Sequence, residues 1–326
     1  MTLDFECVIV SPERRHAMPK VKILTKKSKE MLDQGMVVSP LYDIVFKSVL
    51  QAPRCRDYLI ELIHIITHIS KEEMKKNLRI ENSEHLVSHT KEKRKVSDMI
   101  VSIENNIINL EMNQEYYEGL LKKNEDYLFK LASESIHVGE SYDSQKKVIQ
   151  INFDHFWKYD HRTIVNFRMR DDTGHYQETP GEPIVESYHV NLAKIENKYY
   201  NKEEMTREEK LLLLLGMNQL ESIEEISKGD YVMEEVKKKL VDLTEDANFI
   251  GLYDKEEADR RELYDRTRYA EKLGREKGLE EGRKEGHDSG FKEGQLKIAR
   301  KMKEEHMDLD TIVRITGLSM EEIEKL

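Results

Sequence analysis

The feature that most constrains the fold is a pair of apolar runs, residues 96–103 and 107–113, separated by a short polar stretch. Both runs are rich in branched side chains, which favour β-strands. Asn105 and Asn106 lie between them, and an asparagine pair tolerates the positive φ that a two-residue type I′ turn requires. The segment therefore predicts a β-hairpin with these two asparagines at its turn. Each run also carries one acid, Asp98 in the first and Glu111 in the second.

With that turn, Asp98 is expected opposite Asn113, and Glu111 opposite Ile100. Alternate residues of a strand point to opposite faces, so these four side chains share one face. The other face would hold the apolar residues Met99, Val101, Leu110 and Met112. Diagonal neighbours across two strands lie about 7–8 Å apart, and two carboxylates at that spacing can share a hard divalent cation such as Mg²⁺ or Mn²⁺. On geometry alone, a solvated polar face remains the alternative.

The rest of the pattern predicts a mixed α/β domain. A helical period begins at Ser39, a favourable N-cap followed by Pro40, and Pro53 is expected to divide it into two helices. A short strand near residue 80, the hairpin, a helix over 114–136 and a strand over 146–153 follow. A second hairpin is expected over 160–200. The order of elements predicts a mixed sheet flanked by helices.

The domain organisation expected from these patterns has five parts. Residues 1–38 form a basic N-terminal arm, read as solvated rather than as a DNA-binding arm, and residues 39–200 form the α/β domain. Residues 201–270 are helical. Residues 271–306 carry a glycine at every fourth position from Gly274 to Gly294. Such glycines spiral around a helix, which favours a weak charged helix or a tether over an oligomerisation seam. Residues 307–326 form a small helical hairpin. A homo-oligomer remains open.

Charge and hydropathy narrow the class of protein. The net charge of −11 argues against a general nucleic-acid coat, since phosphate binding needs cations. It does not exclude a nuclease, whose metal ions carry positive charge into the site. The sequence has no apolar run of about 18 residues, so no membrane association is expected. The two cysteines lack metal-ligand spacing, and a reducing cytosol is the expected location.

Several ordered motifs together resemble a known family. They are "SPLYDIVFKSVL", "NLEMNQEYY", "KNEDYLFKL", "VGESYDSQKKVIQINF" and the closing "TGLSMEEI". The chain resembles the Rpn family of recombination-promoting nucleases, also described as transposases, within the PD-(D/E)XK nuclease superfamily. The resemblance covers about residues 37–160 and includes the glycine-punctuated tail. It implies an α/β, restriction-endonuclease-like core with a helical C-terminal extension.

The resemblance also implies Mg²⁺-assisted hydrolysis of DNA phosphodiester bonds. Asp98 would be the first Asp of the motif and Glu111 its (D/E), both as metal ligands. Asn113 stands where the superfamily usually has its catalytic Lys, and an amide can orient the attacking water but supplies no charge. Asp43 would complete the metal shell, or else favour the first turn of its helix.

Two lysines are candidate phosphate contacts. Lys123 occupies a position where relatives tend to have Arg, and Lys95 lies three residues before Asp98 on the same strand. Each also fits an ordinary surface position. The alternative function is a nuclease fold that does not cleave and serves as a module for binding DNA or a partner.

Overall fold

The computed structural model describes residues 24–81, 98–136, 139–156, 162–168, 173 and 184–326. The chain forms two compact units that divide between Glu257 and Ala258. The first unit is built around a six-stranded mixed sheet. This confirms the predicted fold class: a mixed sheet flanked by helices with a helical C-terminal region.

The strands of the sheet are β1 (Arg79–Glu81), β2 (Met99–Ile103), β3 (Asn106–Asn113), β4 (Lys147–Asp154), β5 (Ile164–Phe167) and β6 (Val185–Asn191). Their spatial order is β1-β2-β3-β4-β6-β5. The central pairs β3–β4 and β4–β6 are parallel, whereas the outer pairs are antiparallel. The two predicted hairpins are therefore both present, β2–β3 and β5–β6.

The helices before the central strands are α1 (Lys26–Asp33), α2 (Asp43–Leu50), α3 (Arg56–Thr67) and α4 (Lys71–Asn77). Helix α5 (Leu120–Glu134) connects β3 to β4. After the sheet come α6 (Leu192–Tyr200), α7 (Arg207–Leu213), α8 (Leu220–Ser227), α9 (Tyr231–Glu245) and α10 (Ala247–Glu304). Pro53 begins a single 3₁₀ turn between α2 and α3, so the predicted break is confirmed.

The predicted N-cap at Ser39 is wrong. Helix α2 begins at Asp43, and its N-cap residue Tyr42 offers no side-chain hydrogen bond. The cap comes instead from a distant residue: the carboxylate of Glu256 accepts the backbone N–H groups of Asp43 and Ile44, at 2.9 and 3.1 Å. Ser39 accepts from the N–H of Leu41 and so stabilises the turn before the helix.

The start of α10 also contacts the start of the described chain. Lys27 on α1 pairs with Asp254 and with Glu257, the latter at 2.6 Å from nitrogen to oxygen. With the cap on α2, these contacts tie the first residues of α10 to two N-terminal helices. The first unit therefore depends on residues as late as Glu257.

The predicted turn of the first hairpin is wrong, and the pairing of its two strands is shifted by two residues from the expected register. Ile103 pairs with Asn106, which leaves Glu104 and Asn105 as the turn. Only Glu104 has a positive φ, 45°, so the turn is not of type I′. Asn106 belongs instead to β3, where it also pairs with Lys147 of β4. The Asn77 side chain donates a hydrogen bond to the Glu104 carboxylate and helps to hold the turn.

The two faces of the sheet are covered by different layers. Alternate residues of the central strands, such as Leu110, Ile151 and Val190, pack into the main core with α2, α3, α7 and α9. On the opposite face, Ile100, Val148 and Val185 pack against Leu128 and Leu131 of α5. The predicted division of β2 and β3 into an apolar face and a mixed face is confirmed, because a two-residue shift preserves the alternation.

The second unit contains most of α10 with α11 (Leu309–Thr316) and α12 (Met320–Glu324). The end of α10 packs on the two short helices through Ala299, Ile312, Leu318 and Ile323. Gly317 has φ 70° and ends α11, while Ser319 and Glu322 form the predicted capping box of α12. The six glycines from Gly274 to Gly294 lie inside α10, and all are exposed. None of the described helices is both long and apolar enough to cross a membrane.

Candidate active site

Asp98 and Glu111 lie on the same face of the sheet, directly opposite each other. Met99 pairs with Leu110, so the next step of the register sets Asp98 against Glu111, not against Asn113 as expected. Two hydrogen bonds join the pair: the N–H of Asp98 donates to Oε1 of Glu111 at 3.2 Å, and the N–H of Met112 donates to Oδ2 of Asp98 at 2.9 Å. These bonds fix one oxygen of each carboxylate.

The two acids are buried at relative exposures of 8% for Asp98 and 1% for Glu111. Burial, together with the neighbouring charges of Glu111 and Asp43, raises the pKa of Asp98 well above its ordinary value. Burial also raises the pKa of Glu111, although Lys123 opposes the shift. Two adjacent buried carboxylates repel each other when both are charged. A cation bound between them would relieve that repulsion.

A lysine faces the second oxygen of each acid. Nζ of Lys47 lies 3.8 Å from Oδ1 of Asp98, and Nζ of Lys123 lies 3.5 Å from Oε2 of Glu111. Burial lowers the pKa of Lys123, but the charge of Glu111 and nearby tyrosines more than offsets it, so the pKa is raised. Lys123 therefore stays charged beside the acids. It also lies 5.1 Å from the centre of the Tyr127 ring.

The donor set fits a hard divalent cation. Two buried carboxylates on adjacent strands present the oxygen ligands that Mg²⁺ and Mn²⁺ prefer, and the oxygens Oδ1 and Oε2 are not held by backbone groups. Asp43, the first residue of α2, is near enough for its charge to raise the pKa of both acids. Among the residues that the structure describes, however, no group of three or more His, Cys, Asp or Glu side chains is arranged as a complete metal site.

Asn113 lies two residues beyond Glu111 on the same face and is 4% exposed. Its Nδ2 donates to Oδ1 of Asp154 at 2.9 Å. The other oxygen of Asp154 is 2.7 Å from Nδ1 of His189, and both of these side chains are buried. Asn113 is thus part of a hydrogen-bonded group that extends over β3, β4 and β6.

Asp154 and His189 are not among the site residues predicted from the sequence. The signal that could have found Asp154 is the alternation in β4, where Gln150, Asn152 and Asp154 alternate with large apolar residues. A central strand is buried on both faces, so polar residues at every second position indicate that one of its buried faces is polar. His189 had no comparable local signal. Lys95, predicted to contact phosphate, lies outside the described residues.

The polar face is continuous across the strands. Glu111 pairs with Asn152, which pairs with His189, and Asn113 pairs with Asp154 one step further along. Buried polar groups destabilise a core unless they are hydrogen-bonded, so this continuous polar face is a candidate functional site.

Comparison with protein-family models decides the family. Residues 40–270, more than half of the chain, match the model described as PD-(D/E)XK nuclease family transposase. The chain belongs to this PD-(D/E)XK nuclease family. Residues 292–326 match the C-terminal helix-turn-helix domain of the Rpn/YhgA-like nuclease family. Both matches confirm the resemblance seen in the sequence and support a nuclease- or transposition-associated role. No curated protein and no solved structure matches the chain.

Proposed function

We propose that this protein is a metal-dependent DNA endonuclease associated with recombination or transposition. The observation that carries the proposal is the buried, directly opposed pair of Asp98 and Glu111, in a chain of the PD-(D/E)XK nuclease family. Like charges are brought together in a buried site at a cost in stability, and cation binding is a function that offsets it. The cytosolic location and the homo-oligomer remain predictions from the sequence.

Asp98 and Glu111 would hold a Mg²⁺ or Mn²⁺ ion, with Asp43 beside them. Bound there, the ion would lower the pKa of a water molecule and offset charge on the phosphate. In the reaction, water oxygen bonds to phosphorus, the bond to the leaving oxygen breaks, and one proton passes from the water to the leaving oxygen. Lys123 can contact a phosphate oxygen from beside Glu111, and Asn113 can orient the water.

The decisive experiment is plasmid cleavage with Mg²⁺ or Mn²⁺ and with EDTA. We expect wild type to nick supercoiled plasmid only with the metal. Asp98→Ala and Glu111→Ala should each lower the rate at least about 100-fold, as expected for loss of a group that stabilises the transition state. The matched control is Glu186→Gln, which neutralises a buried carboxylate on the opposite face of β6. A control as inactive as Asp98→Ala, or cleavage that persists in EDTA, would contradict the proposal.

One observation favours a second function, a module that binds DNA or a partner without cleaving. Asn113 stands at the position of the superfamily's Lys, so the described site lacks that charge on β3. A pure binding module gives no product with any metal, and Asp98→Ala then changes nothing but stability. The same plasmid assay separates the two functions.

A further inference from the structure

The side chains around Asn113 form a chain of hydrogen bonds with a defined direction. Nε2 of Gln150 donates to Oδ1 of Asn152 at 3.0 Å, so Nδ2 of Asn152 is the group that faces His189, 3.3 Å from its Nε2. The same Nδ2 lies 3.1 Å from the carbonyl oxygen of Tyr188, which only accepts. An amide nitrogen only donates, so a hydrogen bond between these two nitrogens has Nε2 of His189 as its acceptor. Oγ of Ser187 is a further partner of both, at 3.2 Å from Nδ2 of Asn152 and 3.4 Å from Nε2 of His189.

His189 faces Asp154 through its other ring nitrogen. Nδ1 lies 2.7 Å from Oδ2 of Asp154, and a proton on Nδ1 makes it the donor to that carboxylate. Asp154 receives its second hydrogen bond on Oδ1 from Asn113. A carboxylate that is 1% exposed is thus satisfied by two donors from two other strands.

This arrangement orients Asn113. A carboxylate can only accept, so it holds the Nδ2 end of the Asn113 amide towards β4. The amide is planar, and Oδ1 therefore points away from Asp154. Asn113 presents an acceptor, where the lysine usual at this position presents a donor.

We propose that Asn113 acts through its carbonyl oxygen, as the acceptor that orients the attacking water, and that Asp154 and His189 are positioning residues that keep the amide in this orientation. The inference rests on the proposed nuclease function and adds residues on β4 and β6 to its site. It gives a role to the buried pair Asp154 and His189, which lies apart from the two proposed metal ligands, Asp98 and Glu111.

The experiment exchanges the amide and the carboxylate. In Asp154→Asn, Oδ1 of the new amide satisfies His189, so its nitrogen faces Asn113 and forces that amide to turn its own nitrogen towards the water. In Asn113→Asp, two carboxylates face each other at hydrogen-bonding distance. We expect each single variant to lower kcat about 10- to 100-fold, with KM little changed, as for residues that support a catalytic group.

The double variant Asn113→Asp/Asp154→Asn should recover most of the activity. Asn at 154 donates to Asp at 113 and still accepts from His189, while the carboxylate keeps an acceptor towards the water. If Asn113 works as a donor to phosphate instead, the double variant stays inactive and the inference is overturned. Glu186→Gln, with its buried carboxylate removed on the opposite face, serves again as the folding control.

His189 provides a second test of the positioning role. His189→Asn keeps a donor near the place of Nδ1 and should retain activity, whereas His189→Leu removes the donor and should lose it. Circular dichroism identifies the variants that fold. Equal activity of the two folded variants would count against the positioning role.

The orientation of the Asn113 amide can also be measured without metal or DNA, by hydrogen exchange. In EDTA, the side-chain amide protons of Asn113, assigned by their loss in Asn113→Asp, should exchange with solvent about tenfold faster in Asp154→Asn, as expected for one lost hydrogen bond. Unchanged exchange would refute the orientation. If wild type cleaves no plasmid with either metal, the proposed function fails and the role of Asn113 fails with it. If wild type cleaves and Asp154→Asn is equally active, only the inference fails.

Discussion

The carboxylates of Asp98 and Glu111 face each other where burial raises the pKa of both. A carboxyl group whose pKa is raised in the folded state binds its proton more tightly there than in the unfolded chain. The free energy of unfolding therefore falls as pH rises from about 4 towards the raised pKa, and the loss persists above it. We therefore expect the two acids to lower the stability of the metal-free protein at neutral pH.

Asp98→Asn tests this cost. In EDTA at pH 7, we expect the variant to melt a few degrees above wild type, since about 1 kcal/mol corresponds to roughly 2–4 °C in a domain of this size. Its stability should also vary less between pH 4 and pH 7. With Mg²⁺ added, only wild type should gain stability, through binding to the folded state. Differential scanning calorimetry across pH would reveal the opposite order if the charge of Asp98 were stabilising.

Cys55 offers a prediction independent of the site. Its side chain is fully buried, and burial raises the pKa of its thiol to about 11. In a Cys7→Ser variant, Cys55 is the remaining thiol, and at pH 8 it should react with DTNB on the order of 100-fold more slowly than in the urea-unfolded protein. The Cys55 thiol donates to the carbonyl oxygen of Glu235 on α9. Rapid reaction in the folded state would mean that this contact between the 3₁₀ turn (Pro53–Cys55) and α9 opens readily.

At the candidate site, the residues proposed from the sequence are those with a local signal, and their roles remain predictions. Asp98 and Glu111 stand out because an acid interrupts each of two apolar strands, and Lys123 because of its place in a family motif. Asp154 and His189 are hydrogen-bonded to each other across 35 residues of chain. The hydrogen bond that joins them exists only because β4 and β6 are adjacent and parallel, which no local pattern reveals.

At the scale of elements, the hairpin shows which errors matter. The sequence placed the turn at Asn105–Asn106, but Asn106 is needed in β3 and Glu104 takes the positive φ. Because the shift is two residues, the acids stay on one face and become direct neighbours instead of diagonal ones. Alternation of faces could be predicted from the sequence, whereas register depended on contacts with β4 and Asn77.

Two substitutions of Glu104 isolate the strain in this turn. Both Glu104→Gly and Glu104→Ala lose the hydrogen bond from Asn77. Only glycine adopts a φ of 45° without a steric cost, so the glycine variant should be about 1 kcal/mol more stable than the alanine variant. Urea denaturation measures this difference. Equal stability would show that the turn changes its conformation when the contact with Asn77 is lost.

Some structural elements could not be predicted from the local sequence. Helix α1 lies within a stretch that composition marked only as a basic arm, and it is held by Met31 in the main core and by Lys27 at α10. The cap of α2 could not be found from neighbouring residues, because the capping carboxylate is more than 200 residues away. Long-range contacts of this kind override local capping preferences.

At the scale of the whole molecule, the two units differ greatly in core size. The second unit is held by four buried residues, Ala299, Ile312, Leu318 and Ile323, with a few partly buried neighbours. The part of α10 between residues 261 and 294 is exposed, and ion pairs such as Lys277–Glu281 stabilise it only weakly. The two units should therefore unfold in separate thermal steps.

Substitutions at the glycines of α10 can show that the second unit unfolds in the transition at lower temperature. A Cβ added at Gly278, Gly282 or Gly286 would meet no other atom within 4 Å, so alanine fits there. The triple alanine variant should raise the lower transition, with about 1 kcal/mol gained per substitution, and leave the upper one unchanged. Circular dichroism at 222 nm during heating reports both steps. A single transition that shifts as a whole would mean that the units unfold together.

The capping of α2 by Glu256 limits how this protein can be dissected. Asp43 sits at the N-terminus of α2, and two of its helix's amide groups depend on that one carboxylate. An expression fragment that stopped at the end of the sheet would lack the Glu256 carboxylate that caps α2 and the two acids that pair with Lys27. The smallest fragment worth purifying for crystallisation or for cleavage assays must therefore continue past residue 257, into the long helix.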